Sequence, residues 1–257
     1  MLVDSHCHLG HIEADAADTV TEARAAGVGV VVDIGMGTTE SQASAARARE
    51  IDGVFASVGI HPNDLEEFET DPDGTMQALA RLASHEQVVG IGETGLDFYR
   101  DRSSPSLQED AFRAHIALAR ESSRALVIHC RDAHARVLEI LDGSTLPDRV
   151  IMHCFSGDES YARECAARRF FCSFAGNITY RSAAGLRAAA VALPRDLLLV
   201  ETDAPFLAPV PFRGKPNAPR LLPHTLDGLA DAVGTSSEEL AVELWSNSVR
   251  AFGLDLS

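Results

Sequence analysis

Eight short apolar runs recur along the chain, separated by stretches of helical periodicity. They fall at residues 2–7, 28–34, 54–58, 88–92, 125–129, 150–152, 170–174 and 197–201. Most are rich in valine, isoleucine or leucine and lack clean polar alternation, the pattern of strands covered on both faces. Helical patterns lie at 14–26, 40–49, 108–121, 133–141, 160–168 and 183–192, and two more, 225–233 and 237–252, follow the last run. Within 108–121, Ala111, Phe112, His115, Ile116 and Ala119 share one face, and Ser106 is the expected cap. Ser236 or Ser237, with Glu239 downstream, marks the start of the last helix. This alternation predicts an α/β fold: a single (β/α)8 TIM barrel with extra C-terminal helices, one domain over residues 1–257. The competing arrangement is an open doubly wound sheet. It normally carries a glycine-rich turn after its first strand, where this chain has a histidine pair.

Composition agrees with a barrel. Hydrophobic residues make up 46% of 257, enough to bury a large core without staples. The opening residues MLVDSHCHLG lack the basic and apolar regions of a secretory signal, and no apolar stretch approaches a membrane span. The five cysteines are an odd number with no C-x-x-C pair. Together these predict a reduced, cytoplasmic protein with no membrane contact and no obligate protein partner. The net charge of -16 argues against a protein that coats DNA, but bound cations would still admit a nucleic-acid enzyme.

The chemistry gathers at strand ends. His6 and His8 stand two apart at the end of the first run, so they share a face and can hold one metal ion, with Cys7 turned away. Asp4 lies one step deeper on that face, where it could orient a ligand. The fourth run leads into Glu93, the fifth ends in His129, the sixth runs into His153, and the eighth leads through Glu201 to Asp203. That is the face where barrel enzymes place their catalytic groups. Six such groups suit two divalent ions, of which Mg²⁺, Mn²⁺, Zn²⁺ and Co²⁺ are the candidates. The expected assignment puts His6, His8 and Asp203 on one ion and His129 and His153 on the other, with Glu93 bridging. Asp203 could also orient the attacking water or accept its proton. The only lysine, Lys215, falls in a late loop, so a carbamylated lysine from a middle strand cannot supply the bridge.

These residues sit in longer motifs. DSHCHL at 4–9, GIHP at 59–62, GETGLDFYR at 92–100, HCRDA at 129–133, HCFSG at 153–157 and ETDAPFLAPVPFRGKPNAP at 201–219 resemble the TatD family of metal-dependent deoxyribonucleases, in order and at the family's spacing. The resemblance implies a divalent-metal hydrolase of the amidohydrolase superfamily. It further implies an exonuclease preferring single-stranded or 3′-ended DNA, with RNA as a further substrate. The implied ligands are again His6, His8, Glu93, His129, His153 and Asp203.

Around them, His61 is expected to touch a phosphate oxygen or protonate the leaving oxygen. Arg131 would fork a phosphate or pair with Asp132, Asp97 or Glu201. Glu201 is expected to accept from a ligand histidine or Arg131. In the late loop, Arg213 and Lys215 would hold a nucleic-acid backbone, and Phe212, like Phe98 and Tyr99, would stack on a base. The alternative function is hydrolysis of another ester or amide, for example an aminoacyl ester, on the same two-metal site.

Overall fold

The computed structural model describes residues 1–100 and 102–255. Its elements run β1 (Leu2–Cys7), α1 (Ala16–Ala25), β2 (Val28–Ile34), α2 (Thr38–Glu50), β3 (Val54–Val58), α3 (Glu66–Thr70), α4 (Pro72–Ala83), β4 (Val88–Asp97), α5 (Pro105–Ser122), β5 (Ala125–Arg131), α6 (His134–Asp142), β6 (Val150–Met152), α7 (Glu159–Ala167), β7 (Phe171–Phe174), α8 (Ala184–Ala192), β8 (Leu198–Val200), α9 (Leu222–Val233) and α10 (Ser237–Phe252). The strands follow chain order in a parallel sheet, which makes the fold a (β/α)8 barrel with additional C-terminal helices. The chain forms two compact units, residues 1–33 with 154–257 and residues 34–153.

In the first unit β1 pairs with β2 and β7 pairs with β8, both in parallel, and a bridge links Cys7 to Ala204 just past β8. All residues of β1, β7 and β8 are buried. Phe174 and Phe252 are among its largest fully buried side chains. Helix α10 is capped by Ser236, whose hydroxyl accepts the Glu239 backbone N–H, so the first of the two expected serines is the cap.

In the second unit β3, β4, β5 and β6 pair in parallel and in order. Strand β4 is longer than its apolar run suggests. It continues through Glu93 to Asp97, with all ten residues buried. Two glycines allow this. Gly92 and Gly95 have φ of 135° and 137°, and a Cβ on either would strike the carbonyl oxygen of Val127 or His129 on the neighbouring strand. The register shifts between Ile91 and Thr94, an irregularity of the kind that re-aims a side chain. The side chain re-aimed is that of Glu93.

Helices α3 and α4 were not expected from periodicity. Asp71 caps α4 by accepting the Gly74 N–H, Pro72 opens it, and Thr75, Leu79 and Ala83 form its buried stripe. The expected cap at Ser106 is corrected to Ser104. Pro105 takes the first helical position, where its missing N–H costs nothing, and Ser104 accepts the Leu107 N–H.

His115 on α5 is fully buried. Its Nδ1 donates to the Ala111 carbonyl at 2.7 Å, and its Nε2 accepts the Ile60 N–H at 3.1 Å. Burial pushes its pKa from 6.5 down to about 4. The unfolded chain therefore binds this proton first as pH falls. The stabilising contribution is complete above about pH 6.5 and is lost towards pH 4, in all ~3 kcal/mol. The stability difference between metal-free wild type and His115→Gln in denaturant unfolding should shift by that amount from pH 6.5 to pH 4, because other groups that titrate here are common to both proteins. Identical pH slopes for the two proteins would assign the acid sensitivity elsewhere.

Candidate functional site

In the first unit, the short alternation at the end of β1 sets His6 and His8 together. Their Nε2 atoms lie 3.3 Å apart, and both residues are buried. Asp203, past the end of β8, brings Oδ1 to 3.5 Å from His8 Nε2 and 3.9 Å from His6 Nε2. Three ligand atoms thus lie within 4.8 Å of one another. Two imidazoles and a carboxylate converging in a buried place are a donor set that fits a divalent transition ion. The Asp203 backbone is held by its N–H to the His6 carbonyl at 2.9 Å. Its φ of 54° is left-handed, a conformation that aspartate tolerates better than most residues.

Asp4 reaches this cluster through the backbone. Its carboxylate accepts the Thr202 N–H at 2.8 Å and the Thr202 hydroxyl at 2.6 Å, and more weakly the His6 N–H at 3.4 Å. Complete burial pushes its pKa up to about 7 against the pull of those bonds. Glu201 is also fully buried, and its Oε1 accepts the Cys154 N–H at 2.9 Å. Asn217 clips the following loop by donating to the carbonyls of Thr202 and Phe206 at 2.8 and 2.7 Å.

In the second unit, Glu93 is the hub. Its Oε1 lies 3.1 Å from His61 Nε2 and 3.8 Å from His129 Nδ1, and its Oε2 lies 3.3 Å from His153 Nε2. His61 Nδ1 accepts the Asn63 N–H at 3.1 Å, so Nε2 carries the proton and faces the carboxylate. Burial drives the His61 pKa down to about 3, against the raising effect of Glu93. Asp97 lies behind His129, its Oδ2 3.2 Å from Nε2. Burial alone would raise the Asp97 pKa. His129, the Arg100 N–H and Asn63 outweigh it and hold the carboxyl well below the usual range.

The arginines sit on aromatic rings. The Arg131 guanidinium carbon lies 3.8 Å from the ring centroid of Tyr99, so pairing with Asp132, Asp97 or Glu201 is replaced by stacking. Arg213 lies 4.4 Å above the Tyr180 ring, whose hydroxyl donates to the Ala208 carbonyl at 2.9 Å. Phe212 packs against His224, with ring centroids 5.2 Å apart. Tyr99 and Phe98 remain exposed.

Sequence reasoning missed Asn63, Gln108, Thr202 and Asn217, and gave Asp97 only as a partner for Arg131. Their signal lies in tertiary hydrogen bonds.

A model of TatD-related DNases matches residues 3–253. The chain belongs to the TatD-related DNase family. It is 41% identical to the uncharacterized metal-dependent hydrolase TatD of Mycobacterium tuberculosis, covering 98% of each chain. It is 39% identical to a protein of Cronobacter sakazakii named 3′-5′ ssDNA/RNA exonuclease TatD, covering 93% of this chain and 92% of the relative. Among solved structures, YjjV, a TatD homologue from Escherichia coli, superposes with a TM-score of 0.90 at 26% identity, covering 99% and 98% of the two chains. This TatD-family protein is a metal-dependent hydrolase. Among its described residues no helix is long and apolar enough to cross a membrane.

Proposed function

We propose that this TatD-family hydrolase cleaves phosphodiester bonds of single-stranded DNA from an end, with RNA as a second substrate. The observation that carries the reading is the pair of histidine–carboxylate clusters, His6–His8–Asp203 and Glu93–His129–His153, at the C-terminal ends of parallel strands. Each would hold one divalent ion. When bound, such ions lower the pKa of a coordinated water and neutralise charge developing on a phosphate.

The chain's own groups do the rest. Asp203 orients the attacking water and accepts its proton. His61, neutral with its proton on Nε2, offers that N–H as a hydrogen bond to a phosphate oxygen. Arg131 and Arg213, their planes fixed on Tyr99 and Tyr180, hold phosphate oxygens. The activity for which the Cronobacter relative is named supports the choice of polymer and direction.

The test is digestion of single-stranded DNA and RNA labelled at either end, using chelator-stripped protein restored with Mg²⁺, Mn²⁺, Zn²⁺ or Co²⁺. Metal-dependent laddering from the 3′ end, lost in Glu93→Ala, is expected. With only two arginines on the substrate, log kcat/KM should fall with log salt at a slope near −1.4, about −0.7 per phosphate contacted. Metal binding without nucleotide release, alongside turnover of esters or amides, would replace the phosphodiester reading.

A further inference from the structure

We infer that Asp97 is a positioning residue that fixes the protonation tautomer of His129, so that Nδ1 is the nitrogen offered to metal. This rests on His129 being a ligand, as proposed above. Asp97 is 2% exposed and lies at the end of β4, beyond the bulge that aims Glu93. Its Oδ2 is 3.2 Å from His129 Nε2, while His129 Nδ1 lies 3.8 Å from Glu93 Oε1. Three other N–H groups, those of Tyr99, Arg100 and Asn63 Nδ2, converge on this carboxyl as donors, so it is set up as an acceptor and Nε2 is the nitrogen that carries the proton. Nδ1 then keeps its lone pair on the side of Glu93.

Asp97 cannot turn away from this task. Oδ1 accepts the N–H groups of Tyr99 and Arg100 at 3.0 and 2.9 Å, and Oδ2 also accepts from Asn63 Nδ2 at 2.9 Å. Gln108 grips its backbone from both sides. Gln108 Oε1 accepts the Asp97 N–H at 2.8 Å, and Nε2 donates to the Asp97 carbonyl at 3.2 Å and to the Ser103 carbonyl at 3.0 Å. His61, Asp97 and His129 also place three potential ligand atoms close together. With His129, the four hydrogen bonds occupy the carboxylate's acceptor sites, so Asp97 serves the imidazole and leaves no lone pair for an ion of its own. A carboxylate behind a ligand histidine both orients the ring and raises its basicity.

Asp97→Asn tests the assignment with little change in volume. One side of the amide must still accept the Tyr99 and Arg100 N–H groups, which turns its NH₂ towards Asn63 and His129. His129 can meet that donor only by shifting its proton to Nδ1. The readouts are imidazole ¹⁵N shifts of the metal-free protein at pH 8 and Mn²⁺ affinity by calorimetry. Wild type should show the Nε2–H tautomer, and Asp97→Asn the Nδ1–H tautomer with affinity at one site reduced about 10- to 100-fold. An Nδ1–H tautomer in wild type overturns the assignment, and that measurement stands even if the variant fails to fold. His129→Ala separates this idea from the metal reading. If it binds Mn²⁺ as wild type does, His129 is no ligand, and the proposed centre fails with the role of Asp97. If it loses an ion that Asp97→Asn binds normally, only the role of Asp97 is overturned.

Discussion

Asp203→Asn is expected to lower hydrolysis of single-stranded DNA by about 10²- to 10⁴-fold, the range for loss of a positioned proton acceptor. The amide keeps the volume of the side chain and one oxygen near His6 and His8. It loses the negative charge, which weakens its hold on a divalent ion, and it cannot take a proton from water. Folding should survive. Asparagine tolerates the left-handed φ of 54° as aspartate does, and the backbone N–H to the His6 carbonyl is untouched. Asp203→Ala is the less clean variant, because a Cβ residue without a polar side chain adds roughly 1 kcal/mol of strain at such a φ. Rates on an end-labelled oligonucleotide, with the melting temperature of the metal-free protein, decide the matter. A rate within tenfold of wild type at unchanged stability would remove Asp203 from the chemistry.

That these side chains would gather at one end of their strands was legible because parallel strands write their ends plainly. An apolar run stops, and the next residues that face the same way are His6 and His8, His129, or Asp203. Glu93 was found by the same logic, but its setting was not. The apolar run at 88–92 ends at Gly92. Yet the glycines at 92 and 95 let the chain kink past Val127 and His129 and continue to Asp97. Glycine reads as a break in a local pattern, and only the neighbouring strand shows it to be a close approach. Helix α4 was missed for a different reason. Its buried face is made of Thr75, Leu79 and Ala83, too modest a stripe to stand out, although Asp71-Pro72 was a legible start.

The supporting residues were the least visible. Asn63 meets Asp97 across 34 positions, and Asp4 meets Thr202 across 198. No periodicity encodes such pairs. Arg131 shows the complementary limit. Its face followed from strand alternation, but its partner did not: the expected partners were a phosphate or one of three carboxylates, and Tyr99 was not among them. In the structure Asp97 is already committed to two backbone N–H groups, Asn63 and His129. The exposed ring of Tyr99 offers the guanidinium a flat seat without the cost of desolvating an ion pair.

Asp4→Ala should be among the most destabilising single changes near the site, at about 3–5 kcal/mol. It strands the Thr202 N–H, the Thr202 hydroxyl and the His6 N–H in a place with no access to water, and each orphaned buried donor costs ~1–3 kcal/mol. Part of that is returned, because removing a buried carboxylate also removes its desolvation. Asp4→Asn isolates the two effects. Its oxygen can still accept the Thr202 N–H, its NH₂ can donate to the Thr202 oxygen, and no charge is buried. It should therefore unfold within ~1.5 kcal/mol of wild type. Thr202 lies between Glu201 and Asp203, so the alanine variant should also let Asp203 drift. Hydrolysis is then expected to fall more than stability alone explains, even at temperatures where the variant is folded. Denaturant titrations of the three proteins, paired with rates at 15 °C below each midpoint, measure both effects. If the alanine variant is as stable as the asparagine variant, the Asp4–Thr202 bonds do not hold this end of β8 in place.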